Sequence, residues 1–174
     1  MNRLIPFVLA MFPALASAQS GHFDNTPIHS FDLSEYLGTW YEIARFDHSF
    51  ERGMEGVTAE YSLRDDGRVD VINSGWKDGN YKVANGKARQ REPMENPAHL
   101  EVSFFLFFYS DYNVMMLDDM YRVALVGSSS PGYLWILSRT PQIDESTKNA
   151  ILKEAQRRGY DTSGLIWVNQ DRNM

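Results

Sequence analysis

LGTWYEIARF, residues 37–46, places a glycine two positions before a tryptophan at the mouth of an alternating run. Glycine weakens a strand interior, and where it stands in one it usually marks a bulge or a close backbone approach. Tryptophan is the largest side chain available, so the pair needs a reason. Outward from this stretch, apolar residues recur with period two. Val57, Ala59, Tyr61 and Leu63 alternate with polar neighbours, as do Val69 and Val71, then Leu100, Val102 and Phe104. Tyr133, Trp135 and Leu137 repeat the spacing near the C-terminus. Strands with one buried face read this way.

Turn chemistry separates the runs. Asp66-Gly67, Asp78-Gly79 and Asn85-Gly86 suit the positive φ of tight hairpins, and Ser130-Pro131-Gly132 marks a further turn. The runs predict eight strands, at about 38–46, 55–64, 68–77, 80–91, 99–106, 112–118, 121–128 and 132–139. Every connection is short enough for an up-and-down meander. One helix follows: Asp144 caps it, Glu145 lies in its first turn, Arg157 and Arg158 in its last, and Gly159 stops it. Its apolar stripe, with Ile151 and Ala155, requires a surface to cover, most simply the outside of the sheet. Leu165 to Val168 reads as a short ninth strand. Eight antiparallel strands fit a sandwich or a closed barrel, and periodicity alone does not choose.

The totals narrow the function classes. A chain of 174 residues, 43% hydrophobic, supports one domain with a real core. A net charge of −6 without a polybasic run argues against a nucleic-acid partner. Asn2 and Arg3, the apolar run from Leu4 to Leu15 and the Ala16-Ser17-Ala18 triplet form a signal-peptide pattern. The expected organisation is a signal peptide at 1–18, a loose N-terminal arm at 19–30 and one domain at 31–174. Cleavage between Ala18 and Gln19 would give a periplasmic or secreted, soluble product. There is no cysteine, hence no disulfide, no thiol nucleophile and no lipid-anchor Cys at the cleavage point.

Gly38-Thr39-Trp40-Tyr41 resembles the first signature of the lipocalin family. LDDMYRVALV (117–126) resembles the second, centred on Asp118 and Tyr121, and LSRTP (137–141) the third, with Arg139. The longer stretches LGTWYEIARFDHSFERG, VTAEYSLRDDG and YLWILSRTP are similar to the bacterial, Blc-type lipocalins related to apolipoprotein D. The likeness spans roughly 33–168. It departs from that pattern at Met120, where an acidic residue is usual, and in the missing lipidated Cys of the outer-membrane members. The resemblance implies an all-β fold: an eight-stranded antiparallel up-and-down barrel with one C-terminal α-helix packed outside. It also implies that Trp40 plugs the closed end, with Arg139 across its indole and Gly38 allowing close approach.

In such a barrel the inward faces set the ligand. Strand parity puts Ala59, Tyr61, Val69, Val71, Leu100, Val102, Phe104, Val114, Met116, Leu125, Tyr133, Trp135 and Leu137 inside, none of them charged. This lining suits a small apolar ligand, a fatty acid or lysophospholipid. Arg45 and Arg52 are expected in the first long loop, over the open end, facing a phosphate or carboxylate head group. SFFLFFYSDY (103–112) carries aromatics on both faces. That calls for a covering element, a transient membrane contact or a homodimer through Phe105–Tyr109. The resemblance puts Leu106 to Asp111 in a loop near the open end. Catalysis finds no support. His22, His29, His48 and His99 lack metal-ligand spacing, and no nucleophile elbow or phosphate loop occurs. No catalytic residue, metal or cofactor is nominated. The favoured reading is a lipid carrier or scavenger; the alternatives are a lipid-modifying enzyme on the same scaffold and a protein-interaction module using the Phe-rich stretch.

Overall fold

Eight strands close into a barrel, with a short ninth outside it, in the computed structural model, which describes residues 23–174 and, for Phe105, the backbone only. The signal peptide and cleavage point expected before Gln19, and residues 19–22 of the arm, lie outside the described residues. The strands are β1 (Gly38–Arg45), β2 (Met54–Leu63), β3 (Val69–Lys77), β4 (Asn80–Glu92), β5 (Asn96–Phe105), β6 (Phe108–Leu117), β7 (Val123–Gly127), β8 (Leu134–Ser138) and β9 (Ile166–Trp167). Helix α1 (Leu33–Tyr36) precedes β1, and α2 (Glu145–Arg157) lies between β8 and β9.

From β2 to β8 each strand pairs antiparallel with the next, and β1 pairs with both β8 and β2, so the barrel shuts. Closure rather than a sandwich removes the free edges that open sheets must protect. Along β1, β2 pairs only with Gly38–Tyr41, while β9 takes Ala44 and Arg45. Gln170 stitches this gap, its side-chain amide donating to the carbonyls of Glu42 and Val57 at 2.8 and 2.9 Å.

The expected strands fall within a few residues of those observed. Asp144 caps α2 by accepting from Thr147 N at 2.7 Å. Four expectations need correction. Helix α1, a single turn capped by Asp32, had no periodicity to announce it. Asn85-Gly86 lie inside β4 and make no turn. A Cβ on Gly86 would sit 2.7 Å from the Phe104 ring, so close packing, not positive φ, demands the glycine. The Phe-rich stretch is a β5–β6 hairpin turning at Leu106 and Phe107, not a loop through Asp111. The described part of the arm is tied down: Asp24 N donates to Arg158 O at 2.7 Å and Ile28 N to Val114 O at 2.9 Å.

The hydrophobic residues sort into two cores. One fills the inside of the barrel around Trp40, Val69, Val71, Leu100 and Val114. The other lies between the outer wall of β1, β6, β7 and β8 and helix α2, around Ile43, Leu134, Ile136, Ile151 and Ala155. Met116 and Leu125, expected inside, belong to this outer core. A bulge between Val114 and Met116 resets the alternation in β6. In β7 both faces are apolar because α2 covers the outer one, so parity offered no contrast. Ala124 and Val126 are the inward residues there.

Candidate functional site

The chain direction gives the barrel two different ends. The turns at 64–68, 93–95 and 118–122 lie at one end, with Gly38; those at 46–53, 78–79, 106–107 and 128–133 lie at the other.

The first end is closed. Trp40 is fully buried, and its indole Nε1 donates to Tyr36 O at 2.8 Å. The Arg139 guanidinium carbon stands 4.0 Å from the Trp40 ring centroid, a cation–π contact. The same guanidinium donates to the carbonyls of Glu35, Leu37, Thr39 and Tyr121 at 2.8–3.2 Å. Gly38 adopts φ +91°, and a Cβ there would meet Arg139 Nη1 at 3.4 Å. That is what the glycine before Trp40 serves. Asp118 accepts from the backbone amides of Arg122 and Val123, and the Tyr121 hydroxyl accepts from Asp32 N at 2.8 Å, docking α1 under the barrel.

Above this floor stands a buried tyrosine chain. The Tyr112 hydroxyl is 2.7 Å from that of Tyr36 and 2.9 Å from that of Tyr61. Burial raises all three phenols, Tyr61 to about 12, so they act as neutral hydrogen-bonding groups. Along the wall, Val69, Val71, Leu100, Val114 and Leu137 are buried, while Ala59, Val102 and Trp135 keep partial exposure against the same core. Phe104 and Tyr133 are more open, toward the mouth.

The interior also holds charge, against expectation. Arg45 is the last residue of β1 and only 1% exposed; it does not lie in the loop over the mouth. A bulge between Glu42 and Ala44 turns it inward. Its Nη1 donates to Glu42 Oε1 at 2.6 Å, and its Nη2 to the carbonyls of Glu51 and Met54 at 2.7 and 3.3 Å. Trp135 Nε1 donates to Glu51 Oε2 at 3.1 Å. His48 lies flat between Tyr133 and Phe50, with centroids 4.6 and 5.2 Å away. Burial first, and then the charge of Glu51, pushes the Glu42 carboxyl up to about 8. Burial also raises Glu51, against the Trp135 hydrogen bond, and lowers His48. Glu42 was legible: period two from Trp40 places it on the inward face. Glu51 and His48 were not, because a folded-back loop delivers them.

Arg52 does not join Arg45 in the interior. It is exposed on the loop, and its guanidinium grips the Asp47 carboxylate at 2.5–3.0 Å. At the open rim, Leu106 is 61% exposed, Phe107 85% and Phe108 74%. Lys87 Nζ lies 5.9 Å from the Phe107 ring, and Arg89 stacks on Tyr109 at 4.2 Å. Among the described residues no group of three or more His, Cys, Asp or Glu is placed to hold a metal.

Comparison with known proteins agrees with this geometry. A family model described as a lipocalin-like domain matches residues 31–170. The outer membrane lipoprotein Blc of Escherichia coli K12 is 49% identical over 97% of this chain and 98% of its own. Apolipoprotein D of Bos taurus is 35% identical over 83% of this chain and 81% of its own. The structure of insecticyanin from the tobacco hornworm Manduca sexta superposes with a TM-score of 0.69 over 84% of each chain. At 22% identity that likeness speaks for the fold alone.

Proposed function

The chain belongs to the lipocalin family, and from that premise we propose that it is a periplasmic lipid-binding protein carrying, storing or scavenging fatty acids, lysophospholipids or similar elongated molecules in its barrel. The family is one of binding proteins for small hydrophobic ligands. The observation that carries the finer reading is the partly exposed apolar lining, Ala59, Val102 and Trp135, above a sealed floor. Such a cup removes an acyl chain from water at about 0.8 kcal/mol per methylene. Micromolar binding needs about −8 kcal/mol, which a sixteen-carbon chain supplies after ordering costs. Members of this family are generally binding and transport proteins, and the reading is accordingly of a binder.

Affinity should therefore climb with chain length until the cup is full. Titration of eight- to sixteen-carbon ligands, followed by tryptophan fluorescence, checks this; equal affinity across the series would contradict partitioning. Native mass spectrometry of the protein from a periplasmic fraction, without detergent, is the direct test of the whole reading. A bound lipid of defined mass supports it. An apo mass that survives added fatty acid and lysophospholipid would favour an interaction module. Fractionation of the same cells tests the soluble periplasmic form, processed between Ala18 and Gln19, against a membrane-attached one.

The exposed Leu106 and Phe107, with Lys87 beside them at the open rim, fit a transient contact with a lipid surface. In that arrangement the mouth faces the source of ligand. Replacing both Leu106 and Phe107 by serine should cut binding to phosphatidylethanolamine–phosphatidylglycerol vesicles several-fold and leave affinity for a micelle-free ligand unchanged. Unchanged vesicle binding would remove the proposal, and a dimer-to-monomer shift in light scattering would assign the patch to self-association instead.

A further inference from the structure

The Glu42–Arg45–Glu51 cluster is more than an acyl chain requires. We propose that Glu42 and Glu51 guard Arg45, so that the inner site accepts an uncharged polar group, the ester or hydroxyl of a monoacyl lipid, and rejects the carboxylate of a free fatty acid. This rests on the lipid-binding reading above.

Arg45 brings one fixed positive charge into the barrel, and it is met there by two carboxyls rather than one. Glu42 approaches from the same strand. Glu51 comes from the β1–β2 loop, held by the Trp135 indole. Burial raises both carboxyls, Glu42 to about 8 with the charge of Glu51 adding to it, and the two are hydrogen-bonded, so near neutrality the pair holds a proton and sets less than two negative charges against Arg45. A third carboxylate would add an unbalanced charge to a desolvated site, and buried charge without a partner is costly. A neutral group meets no such penalty and finds partners waiting. Among the described residues, Arg45 Nε and His48 Nε2 are buried without a hydrogen-bond partner. Arg45 Nε–H can donate to an ester carbonyl or a hydroxyl oxygen. The shared-proton pair can accept from that hydroxyl. Tyr61, from β2, also feels both carboxyls and is kept neutral by burial, while His48 and Asp47, the latter paired with Arg52, feel the charge of Arg45.

Arg45 also holds the loop through the carbonyls of Glu51 and Met54. If loop anchoring were its whole role, ligand charge would not matter. The test is to measure the dissociation constants of palmitate and of 1-monopalmitoylglycerol at pH 7 for the wild type, Glu51→Gln and Glu42→Gln/Glu51→Gln. The expected wild-type preference is for the monoacylglycerol by about tenfold or more. In the double variant Arg45 has no carboxylate and pairs with the ligand's, so the preference should collapse or reverse. Glu51→Gln alone should fall between, and serves should the double variant not fold. Palmitate bound as tightly as the monoacylglycerol by the wild type, or a ratio unchanged in both variants, would overturn the guard while leaving the carrier reading intact. Binding of neither lipid would overturn both.

Discussion

Trp40→Ala is expected to lower the unfolding free energy by about 3–5 kcal/mol. Trp40 is fully buried, packs with its ring tilted against Tyr36 at 4.8 Å, and offers its face to Arg139 at 4.0 Å. Truncation removes the transfer energy of the largest side chain and leaves a hole that the closed end cannot fill, because Tyr36 and Arg139 are fixed by their own hydrogen bonds. Arg139 also loses its aromatic platform, a contact worth about 0.5–2 kcal/mol. Urea denaturation followed by circular dichroism measures the loss; a midpoint shift at unchanged slope would assign it to stability alone. Arg139→Ala should be damaging in its own right. The double variant should cost less than the two singles combined, since both act on one contact. A loss below about 1 kcal/mol for Trp40→Ala would show that the floor is not where the barrel is held shut.

The second large effect is expected at Arg45→Met, about 3–5 kcal/mol, the ordinary cost of removing one partner from a buried pair. Its pH dependence follows from Glu42. The folded-state value of about 8 lies above the ordinary 4.5, so between those limits the folded protein holds a proton that the unfolded chain releases. Wild-type stability should therefore fall as pH rises from about 5 to about 8, and Glu42→Gln should flatten that fall. Without Arg45, the attraction that lets Glu42 ionise is gone and its value climbs further. The deficit of Arg45→Met should then widen above about pH 8 and narrow below it. Urea midpoints at pH 5, 7 and 9 for the three proteins check this. A deficit independent of pH would mean that Arg45 matters only through the loop carbonyls it holds.

Much of the fold is legible from local residue chemistry. Alternation marked the strands, Asp66-Gly67 and Asp78-Gly79 marked two turns, and Asp144 with Gly159 bounded α2. The three short signatures located Gly38, Trp40, Asp118, Tyr121 and Arg139, which the structure gathers at one end. Legibility ends where the signal stops being local. A bulge adds one residue without marking the sequence, so Met116 and Arg45 face opposite to their parity. An apolar residue under an outside helix looks the same as one in the lumen, as Leu125 does.

The sequence by itself determined that this chain makes an eight-stranded antiparallel meander with one late helix, and which residues meet at its closed end. The first follows from period-two alternation and turn residues, the second from the resemblance of three motifs, none longer than ten residues, to the lipocalin signatures. Only the tertiary structure decided the polarity of the interior. The inward residues expected from the other strands are uncharged; alternation from Trp40 adds Glu42, but Arg45 and Glu51 join it only because a bulge turns the end of β1 and a loop folds back to bring the second carboxyl in. The physical reason is that charge compensation depends on distance in space, while alternation records only distance along the chain.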